Sequence, residues 1–185
     1  MTEWRKRLVS LALSALVAMP AAAFDLTSGE PIAVSADHAR LDDAKGTATY
    51  TGDVVVTQKQ TKLTADRVVL YRDEAGVNRI EASGNPAHYQ QPATDGSGET
   101  RASALNITYS AKDNALIFEQ EAVINQQGNL FKGDRIFYDT KARVVTAESK
   151  PGDKNSTGRV EMVIQPRNKP QPASGPDTTD DRKSP

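Results

Sequence analysis

Ala65-Asp-Arg-Val-Val-Leu70 and Gly133-Asp-Arg-Ile-Phe-Tyr138 are two copies of one short pattern, a small residue and Asp-Arg followed by apolar side chains. Related copies begin at Ala36 and Ala104, so the four starts lie 29, 39 and 29 residues apart. A second element recurs as Gly52-Asp-Val-Val-Val-Thr-Gln58, Gly84-Asn-Pro-Ala-His-Tyr-Gln90, Gln120-Glu-Ala-Val-Ile-Asn-Gln126 and Gly158-Arg-Val-Glu-Met-Val-Ile-Gln165. A period near 29 predicts stacked units that share one continuous core.

The region from Pro31 to Gln165 consists of short Val, Ile, Thr and Tyr runs broken by Asp, Gly, Asn and Lys, which is typical of an all-β protein. The predicted strands cover roughly 31–41, 46–57, 61–71, 77–90 with a break near Gly84, 100–109, 114–126, 129–138, 142–149 and 158–165. Alternation along them predicts an apolar interior between two sheets. The residues expected to face it are Ile32, Val34, Leu63, Leu105, Ile107, Tyr109, Phe118, Phe131, Ile136 and Tyr138.

The N-terminal residues have the order of a secretory signal peptide. Arg5, Lys6 and Arg7 precede an apolar run of roughly 12 residues, too short for a membrane-spanning helix, and Ala21-Ala-Ala23 follows it. We predict cleavage between Ala23 and Phe24, which leaves residues 24–165 as one domain of an exported protein. Residues 166–185 hold five of the ten prolines and no large apolar residue, so we expect a disordered polar tail.

Composition argues against several classes of function. Residues 1–23 hold three basic and one acidic side chain, so the remaining chain has a net charge of −3, which disfavours nucleic-acid binding. The chain has no cysteine, and no nucleophile-elbow or phosphate-binding glycine motif occurs. His38 beside Asp37, Asp42 and Asp43 is the only local set of metal-ligand types, but Asp42-Asp43 before Lys45-Gly46 favours a hairpin turn. We expect no catalytic site, no metal site and no cofactor.

The repeats, taken together, resemble the OstA-like family of LptA-type periplasmic lipopolysaccharide-transport proteins. The stretches that carry the resemblance are Pro31-Ile-Ala-Val-Ser-Ala-Asp37, Tyr50-Thr-Gly-Asp-Val-Val-Val-Thr-Gln58, Lys62-Leu-Thr-Ala-Asp-Arg-Val-Val-Leu70, Gly84-Asn-Pro-Ala87, Lys132-Gly-Asp-Arg-Ile-Phe-Tyr138 and the strand from Arg159 to Gln165. The resemblance implies an open, twisted β-jelly roll in the periplasm whose interior binds the lipid A part of lipopolysaccharide. It further implies a bridge from an LptC-like protein of the inner membrane to an LptD-like translocon of the outer membrane.

The ten interior residues then become candidates for lipid binding, although each of them can equally serve ordinary core packing. The alternative function is a periplasmic β-repeat scaffold or carbohydrate-binding module without lipid cargo. An open sheet also leaves unpaired backbone groups on its first strand, near Pro31–Asp37, and on its last, near Gly158–Gln165. Pairing of one edge with the other edge of a second copy predicts a head-to-tail homo-oligomer.

Overall fold

The computed structural model describes residues 24–26, 28–93, 98–142, 144–149 and 159–166. The predicted signal peptide, residues 1–23, and residues 167–185 of the predicted tail lie outside the described residues.

The described residues form ten β-strands and one 3-10 turn, which confirms the all-β class. In chain order the elements are β1 (Ala33–Ser35), β2 (His38–Asp42), the 3-10 turn (Asp43–Lys45), β3 (Thr47–Gln58), β4 (Thr61–Asp73), β5 (Gly76–Gln91), β6 (Thr100–Ser110), β7 (Ala115–Gln126), β8 (Asn129–Asp139), β9 (Val144–Glu148) and β10 (Glu161–Val163). No helix in these parts of the chain is long and apolar enough to cross a bilayer.

The hairpin turn predicted from the aspartates lies between β2 and β3. The Asp42 carboxylate accepts a hydrogen bond from the Lys45 backbone N–H at 3.2 Å. Gly46 then adopts the left-handed conformation, with φ of 60°, and its N–H bonds the Asp43 carbonyl. These aspartates therefore satisfy local backbone groups, as the sequence suggested.

All strands belong to one antiparallel sheet, and each pairs with strands close to it in sequence. The order across the sheet is β1-β3-β4-β5-β6-β7-β8-β10, with β2 also paired to β3 and β9 also paired to β8. The strands β1 and β2 thus share one edge, which we call the first edge. The strands β9 and β10 share the opposite edge, the last edge.

Each long strand bends near its middle, where its ladder shifts register. The shifts lie between Thr51 and Val54, Thr64 and Arg67, Ser83 and Ala87, Ser103 and Asn106, and Glu119 and Ala122. Because such irregularities bend a strand, the aligned shifts fold the sheet along one line. Layer one contains β2, β9 and the strand segments that pair with them; layer two contains β1, β10 and the other halves of the long strands.

The two layers face each other across a shared interior. Tyr89 in layer two and Phe118 in layer one lie on strands that are not neighbours, yet their ring centroids are 6.2 Å apart. Far from the bends, the Gln126 side-chain amide of layer two donates to the Tyr138 hydroxyl of layer one at 3.2 Å. A single sheet folded over an apolar interior and unclosed at its edges is the open β-jelly roll that was expected.

The repeated sequence pattern marks the bends. Asp66 of β4 and Asp134 of β8 are skipped by the ladder at the bend, where each faces two residues of the neighbouring strand, and Leu105 is the corresponding residue of β6. The buried positions step from Ala65 to Val68 and from Ala104 to Ile107 across this residue, so the alternation of side chains reverses beyond it. The expectation that Leu105, Ile107 and Tyr109 share one face is therefore wrong for Leu105, which is half-buried and lies outside the interior cluster.

Candidate functional site

The interior between the layers is the candidate site, and it contains nine of the ten residues predicted to face it. Six are buried in the core cluster: Leu63, Ile107, Tyr109, Phe118, Ile136 and Tyr138. Three are half-buried and pack against that cluster: Ile32, Val34 and Phe131. Leu105, at the bend, is the exception.

The interior also holds residues that the sequence reasoning missed. The fully buried side chains include Val54, Val56, Val68, Ile80, Leu116 and Ile124, in addition to Tyr89 and Phe24. Several of them stand in uninterrupted apolar runs such as Val54-Val-Val56, where no polar neighbour indicates which residue points inward. The repeats did carry a signal, because Val68 and Ile136 occupy the same repeat position.

Aromatic rings connect the two layers at the centre of the interior. The Phe24 ring lies 6.1 Å from the Tyr89 ring and 6.3 Å from the Tyr109 ring, measured between centroids. Tyr89 in turn contacts Phe118 edge-on. At these distances tilted and edge-on rings attract each other beyond the effect of area burial alone.

Two phenol groups of this interior, those of Tyr89 and Tyr109, have a raised pKa and stay uncharged at neutral pH. Burial raises the pKa of Tyr89 well above its ordinary value. Burial also raises the pKa of Tyr109 to about 12, with the nearby Asp25 carboxylate adding to the effect and a Leu26 backbone hydrogen bond opposing it. The core cluster of the described residues contains no Asp, Glu, Lys or Arg, so the interior suits apolar chains.

Residues 24–26 and 28–32, which we call the N-terminal strap, lie along the side of the fold away from the bends. The strap is fastened by Gln58, the last residue of β3, whose side chain is buried. Its amide oxygen accepts from the Asp25 N–H at 2.8 Å, and its amide nitrogen donates to the Asp25 carbonyl at 2.9 Å and the Glu30 carbonyl at 3.1 Å. Ser28 Oγ lies 3.4 Å from the same nitrogen.

An open groove of about 420 Å³ lies beside the strap at the first edge. Its apolar lining comes from the strap, β1, β3, β4 and the start of β5, through Leu26, Ile32, Val34, Tyr50, Leu70 and Val77. All six pack on or belong to the core cluster. Ser28, Glu30 and Gln58 also line it, so the groove opens the interior toward solvent through a partly polar wall.

Exposed large apolar side chains concentrate at the two edges. Leu41 of β2, at the first edge, is 59% exposed. Val144 of β9 and the run Val160, Met162, Val163 and Ile164 in and around β10 are exposed at the last edge. Contiguous exposed apolar residues commonly mark interaction sites, and here they accompany strands whose outer backbone groups face no other strand of the described residues.

The described side chains provide little for metal or acid-base chemistry. Within the described ranges, no three His, Cys, Asp or Glu side chains gather as potential metal ligands. Asp42 and Asp43 bond the backbone and the Arg72 guanidinium, respectively. The arrangement can bind apolar ligands between its layers and strands along its edges.

Comparison with known proteins gives concordant results. Residues 33–144 match the family described as LptA/(LptD N-terminal domain) LPS transport protein. The lipopolysaccharide export system protein LptH of Pseudomonas aeruginosa is 41% identical over 145 residues, covering 77% of this chain and 83% of that protein. LptA of Escherichia coli K12, also named a lipopolysaccharide export system protein, is 32% identical and the match covers 84% and 85% of the two chains.

A solved structure agrees with these sequence matches. The crystal structure of LptH from Pseudomonas aeruginosa, described as the LptA-homologous periplasmic component of the lipopolysaccharide transport device, aligns with a TM-score of 0.67 and 42% identity. The alignment covers 74% of this chain and 96% of that one.

Proposed function

The chain belongs to the LptA/(LptD N-terminal domain) family of LPS transport proteins, and from this premise we propose that it is a non-catalytic periplasmic carrier of lipopolysaccharide. Its interior holds the acyl chains of lipid A, and copies of the protein stacked edge to edge bridge the two membranes. The observation that carries the proposal is the uncharged interior, which is shared by all the long strands and open at the first-edge groove.

The energetics of the cargo favour such an interior. Burying one methylene group contributes about 0.8 kcal/mol, so a single ~12-carbon acyl chain in water costs on the order of 10 kcal/mol. Ile32 and Val34 line the groove where a chain would first enter. Farther along the sheet, apolar contacts come from the half-buried Phe131 and from the buried residues Leu63, Ile107, Tyr109, Phe118, Ile136 and Tyr138.

The two edges support assembly into a bridge. The first edge offers the backbone of β1 and β2, and the last edge offers β9 and β10, each with exposed apolar side chains. Pairing of unlike edges repeats without closing, so it produces an extended stack. In the proposed bridge an LptC-like protein pairs with one end of the stack and an LptD-like translocon with the other.

Bound cargo is the first test. The protein is isolated from the periplasm of a Gram-negative host and examined by native mass spectrometry. We expect a fraction of the molecules to carry the mass of lipid A or lipopolysaccharide. A protein that never carries lipid but binds oligosaccharides would instead support the carbohydrate-binding module.

Two neighbouring substitutions in β1 test the site. Val34 lines the groove, whereas Ser35, the next residue, is exposed. Val34→Asp places a carboxylate where an acyl chain would lie, and an unpaired charge in apolar surroundings is costly, so we expect lipopolysaccharide binding to fall at least tenfold, by roughly 1.4 kcal/mol or more. Ser35→Asp adds the same charge to the same strand and should bind as the wild type does. Equal binding by both variants would exclude the groove as the lipid site.

A further inference from the structure

The N-terminal strap occupies the side of the fold through which a lipid with a large polar head must enter. Acyl chains are able to lie between the layers, but sugars and phosphates have to remain in water. The bends close one long side of the interior. The head group must therefore leave through the opposite side, where the strand ends of the two layers face each other. The strap runs along that opposite side, and its Phe24 ring lies between Tyr89 of layer two and Tyr109 of layer one.

The strap is attached in a way that permits release. Residues 24–26 and 28–32 belong to no strand, so their departure breaks no ladder. One buried side chain, that of Gln58, makes four of the strap's hydrogen bonds. An exposed ion pair joins Glu30 to Lys59 at 3.5 Å, and such pairs contribute little. The remaining anchors are a hydrogen bond between the Leu26 backbone and Tyr109, the packing of Leu26 and Ile32 on the core cluster, and the insertion of Phe24. Phe24 is an apolar group of the kind that an acyl chain replaces.

Resting on the function proposed above, we propose that the N-terminal strap is a displaceable plug that Gln58 fastens and that an incoming acyl chain expels by taking the place of Phe24. The closed strap covers the Tyr89 and Tyr109 rings with Phe24. It also competes with cargo, since a ligand that binds only the open state has its apparent affinity reduced by the fraction of molecules that are open.

A tryptophan reporter tests displacement directly. The only tryptophan of the chain is Trp4, so the double variant Trp4→Phe, Phe24→Trp reports on the strap alone. Its indole should be shielded from iodide quenching in the free protein and should become accessible when purified lipopolysaccharide is added. The matched reporter Trp4→Phe, Phe131→Trp, in the interior near the last edge, should show no such increase. An indole that stays shielded at position 24 under saturating lipopolysaccharide would overturn the proposal.

A pair of glutamine substitutions tests the fastening. Gln58→Met keeps the length of the side chain but removes its hydrogen bonds to the strap, so lipopolysaccharide should bind about fivefold more tightly. Gln60→Met makes the same change on the exposed β3–β4 turn and should leave the affinity unchanged. Equal affinity of Gln58→Met and wild type would refute the plug while leaving the carrier function intact. Absence of binding in both would refute the carrier function, and the plug with it.

Discussion

Tyr89 couples the central packing of the interior to pH. Its ring contacts Phe24 and Phe118, and its hydroxyl donates to the Gln91 side chain at 3.1 Å. Burial raises the pKa of this phenol in the folded state. In the unfolded chain its pKa is about 10, the ordinary value for tyrosine. The folded state therefore holds a proton that the unfolded state releases, and the stabilisation present below about pH 10 is lost as the pH rises further.

We accordingly expect the protein to unfold at alkaline pH with tyrosinate absorbance appearing together with the loss of the β-sheet circular dichroism signal. Tyr89→Phe keeps the ring and removes the ionisable group, so its unfolding midpoint should move to higher pH. Tyrosinate absorbance that is complete before the circular dichroism changes, with an unchanged midpoint in Tyr89→Phe, would contradict this.

Individual residues show where sequence reasoning succeeds and where it fails. Ile107 and Ile136 were predicted correctly to face the interior because each lies in an alternating stretch on one side of a bend. Leu105 was placed on the wrong face because the prediction assumed that side chains alternate without a break through the bend. Its repeat position, shared with Asp66 and Asp134, could have indicated the bend. Gln58 could not have been found, since only the fold brings this polar side chain to a strap 28–33 residues away in sequence.

At the level of elements, the strands were predicted within a few residues, because Val, Ile, Thr and Tyr runs and polar turns are local signals. The exceptions are at the bends and edges. The first predicted strand divides into β1 and β2 at Ala36-Asp37, and the last is shorter than predicted. The bends form one line because of the register between neighbouring strands. The sequence of a single strand does not specify that register, so the bend line could not be predicted from it.

Gly52 forms the bend of β3 and is crowded there. Its φ is +83°, and an added Cβ would overlap the Asp37 side chain. Gly52→Ala should therefore lower the free energy of unfolding by about 2 kcal/mol, measured by urea denaturation. Gly29→Ala, where nothing lies within 4 Å of the added atom, should change it by less than about 0.5 kcal/mol. Equal stability of the two variants would mean that the bend tolerates a side chain.

The strand β10 is the element on which the last edge depends for pairing. Val163→Pro removes one backbone donor from it, and we expect weaker self-association in sedimentation over a concentration series. Val163→Thr retains the donor and the β-propensity, so it should associate nearly as the wild type does. Lipid binding, measured in parallel, should persist in both. Identical association of the proline and threonine variants would exclude pairing through this edge.

Across the whole molecule, the sheet is open, so its stability should vary with position. β4 to β7 each have a strand on both sides, whereas β2 and β10 each pair with a single strand in the described part of the chain. Because stability in stacked repeats comes largely from neighbouring units, amide hydrogen exchange should be slowest in β4–β7 and fastest in β2 and β10. Hydrogen-exchange mass spectrometry measures this gradient, and uniform protection across the sheet would contradict it.

The pairing of each strand with strands close to it in sequence has a consequence for biogenesis. A chain delivered N-terminus first can add each new strand to the one just completed, and none of the long strands has to wait exposed for a distant partner. Phe24 is the exception. It contacts Tyr89 and Tyr109, so its binding position does not form until β5 and β6 have folded. This segment thus precedes the strands in the chain but docks after β5 and β6, and its insertion completes the aromatic packing between the two layers.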